Sequence, residues 1–146
     1  MNTQATSAAL AVRAVLAIPA VTPFMPRGQI DAISALMHGA EGGFFQRKLV
    51  ELEQLIANMP QTYDQADAGD EAVAHLHYFK GSTDCYILEK DKEGGVLQAT
   101  GFVILNGDRE MAEVGYVSIQ ELTASGAELD LHFKPCTLKA IKKGMF

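Results

Sequence analysis

The chain has 146 residues, of which 48% are apolar and 21% are charged, a composition typical of a folded domain and unlike that of a disordered chain. Its net charge of −6 argues against direct binding to nucleic acid, because nucleic-acid-binding proteins present clustered Lys and Arg. The two cysteines, Cys85 and Cys136, have no C-x-x-C or Cys/His spacing. They therefore predict free thiols in a reducing cytoplasm rather than a disulfide scaffold or a zinc site.

Residues 1–28 are predicted to form an N-terminal arm or linker. Ser7 can cap a short helix that ends near Ile18, and three prolines between positions 19 and 26 then favour an extended, turn-rich segment. The apolar run from position 8 to position 21 is interrupted by Arg13 and follows no basic residue. This run therefore lacks the pattern of a secretory signal and is too short and too polar to span a membrane.

Residues 29–60 are predicted to form helices that pack on a sheet. A first helix places Ile30, Ile33 and Met37 on one face, and a second, stronger pattern follows Gly42-Gly43 and ends at Pro60. Its apolar stripe consists of Phe45, Leu49, Leu52, Ile56 and Met59. If the chain were a structural or self-associating domain, this amphipathic helix would be its docking element.

Residues 72–146 are predicted to form the core of an α+β domain, because the hydrophobic period changes there from that of a helix to that of a strand. The pattern predicts an antiparallel sheet of about five strands, with helices before it and short helices near the C-terminus, and 29–146 as one domain. Asn106-Gly107 predicts a hairpin turn, and Ser118 with Glu121 predicts a capped helix. The predicted strands are 73–79, 85–90, 98–105, 112–117 and 127–133.

The C-terminal half contains a two-part motif, Gly115-Tyr116-Val117-Ser118-Ile119-Gln120-Glu121-Leu122 and Leu129-Asp130-Leu131-His132-Phe133-Lys134-Pro135. This motif is similar to that of an uncharacterised family of small domains carried by plasmids, phages and other mobile elements. Cys85 departs from the pattern, since an aromatic residue, often Trp, is expected there. The resemblance covers about half the chain and implies a prokaryotic cytoplasm, a host protein as partner and no assigned catalytic residue or cofactor.

The leading hypothesis is a non-enzymatic accessory protein that binds a host protein and modulates or inhibits it. The resemblance favours an anti-defence inhibitor of the anti-CRISPR kind, whose partner would be a nucleic-acid-binding defence protein. Aromatic side chains within an acidic rim are typical anchors of such interfaces, although Phe45, Tyr78 and Tyr116 are expected in the core. The predicted contact residues are Tyr63, Tyr86, Glu89, Glu128, Asp130 and His132.

A metal-dependent enzyme is the main alternative. Alternate residues of a strand share a face, so His75 with His77 and Asp130 with His132 would offer imidazole and carboxylate ligands if their strands were neighbours. The same residues are more typical of the exposed faces of two antiparallel strands than of a ligand set. Pairs of acids such as Glu89 with Glu113, or Glu128 with Asp130, would suit acid and base catalysis, but their spacing does not distinguish them from surface acids. No cofactor-binding motif is present, and the oligomeric state stays open.

Overall fold

The protein is described by a computed structural model that places residues 3–144, with the side chains of residues 7–144. The chain divides into two compact units, Met1–Asn58 and Met59–Phe146. This division differs from the prediction of an arm over 1–28 and a single domain over 29–146, because α1 packs against α3 within the first unit. The helices of that unit are α1 (Thr3–Val21), α2 (Arg27–Leu36) and α3 (Gly42–Asn58).

Helix α1 is longer than the sequence indicates. It continues through Pro19 to Val21, and a 3₁₀ turn over Thr22–Phe24 follows in place of the expected extended segment. Near its C-terminal end the hydroxyl of Thr22 donates to the carbonyl of Ile18 at 2.6 Å, which satisfies a carbonyl of the last turn. Ala14 and Val21 are buried, so this part of the chain belongs to a packed unit.

The stretch Ser7–Phe24 is long and apolar enough to cross a membrane, with a mean hydropathy of 1.6 over 18 residues. The prediction that this run is too short and too polar to do so is therefore wrong by length and composition. Core helices of soluble proteins share these two properties.

Helix α3 follows α2 through a close approach of the backbone. A Cβ atom at Gly42 would collide with the carbonyl oxygen of Met37, and the side-chain amide of Gln46 donates to that same carbonyl at 3.1 Å. Leu52 and Ile56 on the predicted apolar stripe are buried, as are the other aliphatic residues of the stripe. The aliphatic part of the stripe is therefore core, whereas Phe45, which was also expected in the core, is only half-buried.

The second unit contains a five-stranded antiparallel sheet in the order β5-β4-β3-β2-β6, which confirms the predicted α+β fold. Strands β1 and β7 form a separate two-stranded sheet. The elements are β1 (Val73–Ala74), β2 (Leu76–Lys80), β3 (Thr83–Glu89), β4 (Ala99–Ile104), β5 (Glu113–Val117), α4 (Ile119–Ala124), β6 (Glu128–Leu129), β7 (Cys136–Thr137) and α5 (Leu138–Gly144).

The predicted Asn-Gly turn and the predicted cap of α4 are present, but Ser7 does not cap α1, because that helix begins before it, at Thr3. Asn106 and Gly107 adopt φ values of 51° and 75° between β4 and β5, as the Asn-Gly pair predicts. The hydroxyl of Ser118 accepts the backbone N–H of Glu121 at 3.1 Å and so caps α4. The turn therefore follows the end of β4, and the cap sets the start of α4 after β5.

The last predicted strand is much shorter than expected. It covers only Glu128–Leu129, because the carboxylate of Asp130 accepts the backbone N–H of His132 at 2.9 Å and starts a turn. The alternation of apolar and polar residues beyond Leu129 is therefore not that of a strand. Phe133 nonetheless packs against the core of the unit.

The two faces of the sheet differ. One face carries buried side chains, including Tyr78 and Ile87. On the other, called here the site face, the register aligns His77, Tyr86, Phe102 and Val114 across four strands. A core cluster lies on part of the site face and consists of Ala72, Ala74, Leu88, Phe102, Ile104, Leu138 and Ile141.

Candidate binding cleft and tyrosine rim

An open cleft of about 500 Å³ lies on the site face, between edge strand β5 and the segment 63–72. Its walls are largely apolar and include Ala72, Leu88, Val114 and Leu138. At one side the ammonium of Lys142 pairs with the carboxylate of Asp70 at 2.7 Å. The volume and the apolar lining are those of a binding cleft with a few polar groups at its margin.

Glu89 lies at the cleft and is buried, with 5% of its surface exposed. Its carboxylate accepts the backbone N–H of Tyr63 at 3.1 Å, the backbone N–H of Gln65 at 2.6 Å and the hydroxyl of Thr100 at 2.7 Å. The prediction that Glu89 belongs to an exposed contact surface is therefore wrong. A buried carboxylate needs such donors, and here it fixes the segment that carries Tyr63.

Tyr63 has a backbone conformation that is unusual for a residue with a Cβ atom. Its φ is 76°, in the left-handed region that favours glycine, and this conformation costs a non-glycine residue about 1 kcal/mol. The hydrogen bond from its N–H to Glu89 holds the backbone in place. Its side chain is 64% exposed, so the ring gains little burial in return.

Tyr63 meets Tyr116 of β5 at the mouth of the cleft. Their hydroxyl oxygens lie 2.5 Å apart, and this hydrogen bond raises the pKa of Tyr116 above its ordinary value. Tyr116 is 57% exposed and Val114, two residues away on the same face of β5, is 51% exposed. We call Tyr63, Val114 and Tyr116 the tyrosine rim.

Tyr116 corrects a second expectation from the sequence. Alternation along its strand predicts a core position, but β5 lies at the edge of the sheet, and in the part of the chain that the structure describes Tyr116 is exposed, whereas α5 packs over Phe102. The signal that could have identified it is the absence of a further predicted strand to pair with residues 112–117. Tyr78, by contrast, is buried as predicted.

A second depression, of about 400 Å³, lies on the other side of the tyrosine pair. Its wall is a loop organised by Asp91, whose carboxylate accepts the backbone N–H groups of Gly95, Leu97 and Gln98 at 2.7 to 2.8 Å. Burial would raise the pKa of Asp91, but these hydrogen bonds outweigh it and lower the pKa. Tyr63 and Tyr116 therefore form a ridge between two depressions.

A separate polar cluster surrounds His77 on the site face. Its Nδ1 lies 2.9 Å from a carboxylate oxygen of Asp130, and its Nε2 lies 2.7 Å from one of Asp84. The ring stacks on Tyr86 with centroids 4.4 Å apart and also contacts Phe133. Because carboxylates only accept, the imidazolium is the form that donates to both of them. We call these five residues the His77 cluster.

The carboxyl of Asp130 is stabilised in its charged form by this cluster. Partial burial would raise its pKa, but the hydrogen bonds from His77 and from the backbone N–H of His132 lower it below the ordinary value. The geometry is that of a satisfied ionic network.

The predicted metal ligands do not assemble into a metal site. His77 and Asp130 come together, but both nitrogens of His77 already face carboxylates. Burial lowers the pKa of His75. Among the residues that the structure describes, no group of three or more His, Cys, Asp or Glu side chains could hold a metal ion.

The predicted contact residues do not form one surface. Tyr63 lies on the tyrosine rim, whereas Tyr86 and Asp130 belong to the His77 cluster. Glu128 is exposed on β6, at the opposite edge of the sheet from β5. His132 lies in the turn that follows β6, where its backbone N–H donates to the carboxylate of Asp130.

Thiol chemistry has little support. Burial raises the pKa of Cys85 to about 12, so its thiol stays protonated at neutral pH. Burial also raises the pKa of Cys136. Neither cysteine has the lowered pKa of a nucleophile.

Comparison with protein-family models, with curated proteins and with solved structures found no match to this chain.

Proposed function

We propose that this protein is a non-enzymatic binding module whose contact surface is the tyrosine rim together with the edge of β5. The observation that carries the proposal is Tyr63, an exposed aromatic residue in a backbone conformation that favours glycine. The hydrogen bond of its hydroxyl to Tyr116 is exposed, so it offsets little of the backbone cost of a tyrosine at this position. A backbone outlier that presents a side chain to solvent is a common property of binding sites.

The chemistry of the tyrosine rim suits a protein partner. Tyrosine is enriched among the residues that dominate binding energy at interfaces, because its ring supplies a large rigid contact area and its hydroxyl a hydrogen bond. The two tyrosines and Val114 are adjacent and exposed, and each depression beside them can receive a partner side chain. The buried carboxylate of Glu89 positions Tyr63 by accepting its backbone N–H.

The setting of this function comes from the sequence motif. A mobile-element domain in a prokaryotic cytoplasm would meet host proteins, and binding would modulate or inhibit one of them, such as a nucleic-acid-binding defence protein. The net charge of −6 favours a basic partner. Complex formation is then expected to weaken as salt is raised, because salt screens exposed charges.

The proposal is tested by capture from a lysate of the cells that naturally express the protein. The double variant Val114→Lys/Tyr116→Lys removes two rim side chains and adds two charges. Its matched control, Val12→Lys/Leu16→Lys, makes the same kind of change on the exposed face of α1. We expect a stoichiometric partner that is retained by wild type and control and lost with the rim variant. Equal capture by all three proteins, or by none, would count against the proposal.

A further inference from the structure

We infer that the partner contributes an extended, basic segment that pairs with β5 as an additional strand of the sheet. This inference rests on the proposed function and specifies the class of partner. It combines three features of the molecule: the free edge of β5, the cleft beside it, and the charge of the flanking residues.

The two edges of the sheet differ in their capacity to pair. β6 covers only Glu128–Leu129, and a very short edge strand is one way in which proteins prevent further pairing. β5 covers Glu113–Val117, and in the described part of the chain β4 is its only partner strand. The outer side of β5 therefore presents backbone N–H and C=O groups to solvent, which is the chemistry that recognises an extended strand.

The sequence of β5 offers little protection of the edge, since Glu113 is its single charged residue. It contains no Lys and no Pro, and a Cβ atom added at its central residue, Gly115, would meet nothing within 4 Å. Val114 and Tyr116 project their apolar side chains on the site face while exposed to solvent. An edge strand with these properties can accept a further strand along its outer side.

The cleft supplies side-chain specificity for an added strand. Residues of that strand opposite Val114 and Tyr116 would point to the same face of the sheet, where the cleft opens. Its volume of about 500 Å³ accommodates a large apolar side chain. Backbone pairing would thus provide affinity, and an apolar residue in the cleft would select the partner.

Charge decides between a second copy of this chain and a different protein. Between positions 108 and 121 there are four acidic side chains and one basic side chain, a net charge of −3. Pairing of β5 with the β5 of a second copy would bring two such acidic regions together and would be opposed by repulsion. A basic segment is attracted by the same residues, so a different, basic protein is the occupant.

The test uses a displayed library of random peptides of about 12 residues, selected on the wild-type protein and counter-selected on Val114→Lys/Tyr116→Lys. We expect the selected peptides to be basic and to alternate apolar and polar residues. Methylation of alternate backbone amides in the best peptide should weaken binding about tenfold or more on the side that faces β5, because those amides can no longer donate. The same methylation in the other register should have little effect.

Amide hydrogen exchange locates the peptide. Alternate amides in Glu113–Val117 should become protected when the selected peptide binds, and the amides of β6 should not change. Failure to select any peptide that depends on the rim, or equal affinity for both methylated peptides, would overturn strand addition. Protection of β5 in the free protein that grows with concentration would show instead that a second copy is the occupant.

These outcomes separate the inference from the proposed function. If the lysate partner depends on the tyrosine rim but no peptide pairs with β5, the proposed function stands and strand addition is wrong. If capture does not depend on the rim, the proposed function itself is wrong.

Discussion

The His77 cluster and the tyrosine rim both lie on the site face of the sheet and both contain tyrosine. The polar groups of the cluster are largely buried and bonded to one another, whereas the rim is exposed to solvent. The side chain of His77 is 12% exposed, its ring stacks on Tyr86, and both of its nitrogens face carboxylates. In the rim, the two hydroxyls meet each other, and the rings stay exposed to solvent. A polar cluster that satisfies itself is explained by stability, whereas an exposed aromatic group on a strained backbone is not.

The largest effect on stability is expected at Glu89, which connects the rim to the core. Replacement Glu89→Ala would leave the partly buried N–H groups of Tyr63 and Gln65 without their acceptor and lower the free energy of unfolding by about 2 kcal/mol. Urea denaturation at neutral pH measures this loss. The exposed acid Glu113 gives the control, since Glu113→Ala should change stability little. Equal effects of the two variants would refute the role assigned to Glu89.

The His77 cluster should contribute to stability and not to partner binding. Asp130→Asn removes the charge that His77 and the N–H of His132 stabilise and should lower the free energy of unfolding by about 1.5 kcal/mol. Capture of the partner should be unchanged once the variant is folded. A loss of capture without a loss of stability would move the binding surface to this cluster.

At the tyrosine rim, in contrast to the His77 cluster, substitutions are expected to abolish partner binding. Because a left-handed φ favours glycine, Tyr63→Gly should be more stable than Tyr63→Ala by about 1 kcal/mol in urea denaturation. Both variants should lose the partner to the same extent in the capture experiment. If Tyr63→Ala proved as stable as Tyr63→Gly, the backbone would not be strained as described.

The stability difference between wild type and Asp130→Asn should also depend on pH. The pKa of Asp130 in the folded protein lies below its ordinary value of 3.8, so its contribution is fully present above that value and is lost as the pH falls through the lowered pKa. The difference in urea midpoint should therefore shrink towards zero as the pH falls below 3.8. Glu128→Gln, at an exposed neighbouring position, is the control. A difference that persists in strong acid would show that the charge of Asp130 is not its cause.

Local patterns predicted much of the second unit. Alternation and turn chemistry indicated the hairpins around Gly81 and Asn106, and the cap at Ser118 is present, because these features depend on neighbouring residues. The end of β6 was missed because the side chain of Asp130 competes with strand pairing, which alternation does not report. The predicted end of helix α1, near Ile18, is too early, because Pro19 is accommodated close to the actual end of the helix at Val21.

The candidate site was harder to predict because it depends on which strand lies at an edge. Tyr116 alternates like a core residue, and only the strand order places it in solvent. Glu89 resembles a surface acid until the segment 61–65 folds over it. The positive φ of Tyr63 is likewise a property of the tertiary structure, since no local pattern of residues predicts it.

Photo-cross-linking in the cells that express the protein tests the central claim most directly. The cross-linking amino acid p-benzoylphenylalanine is placed at the position of Tyr116 on β5 or, in a separate variant, at that of Glu128 on β6, the opposite edge of the sheet. A binding surface at the tyrosine rim predicts one discrete cross-linked protein from position 116 and none from position 128. Cross-links from position 128 alone, or from neither position while the partner is still captured, would contradict it.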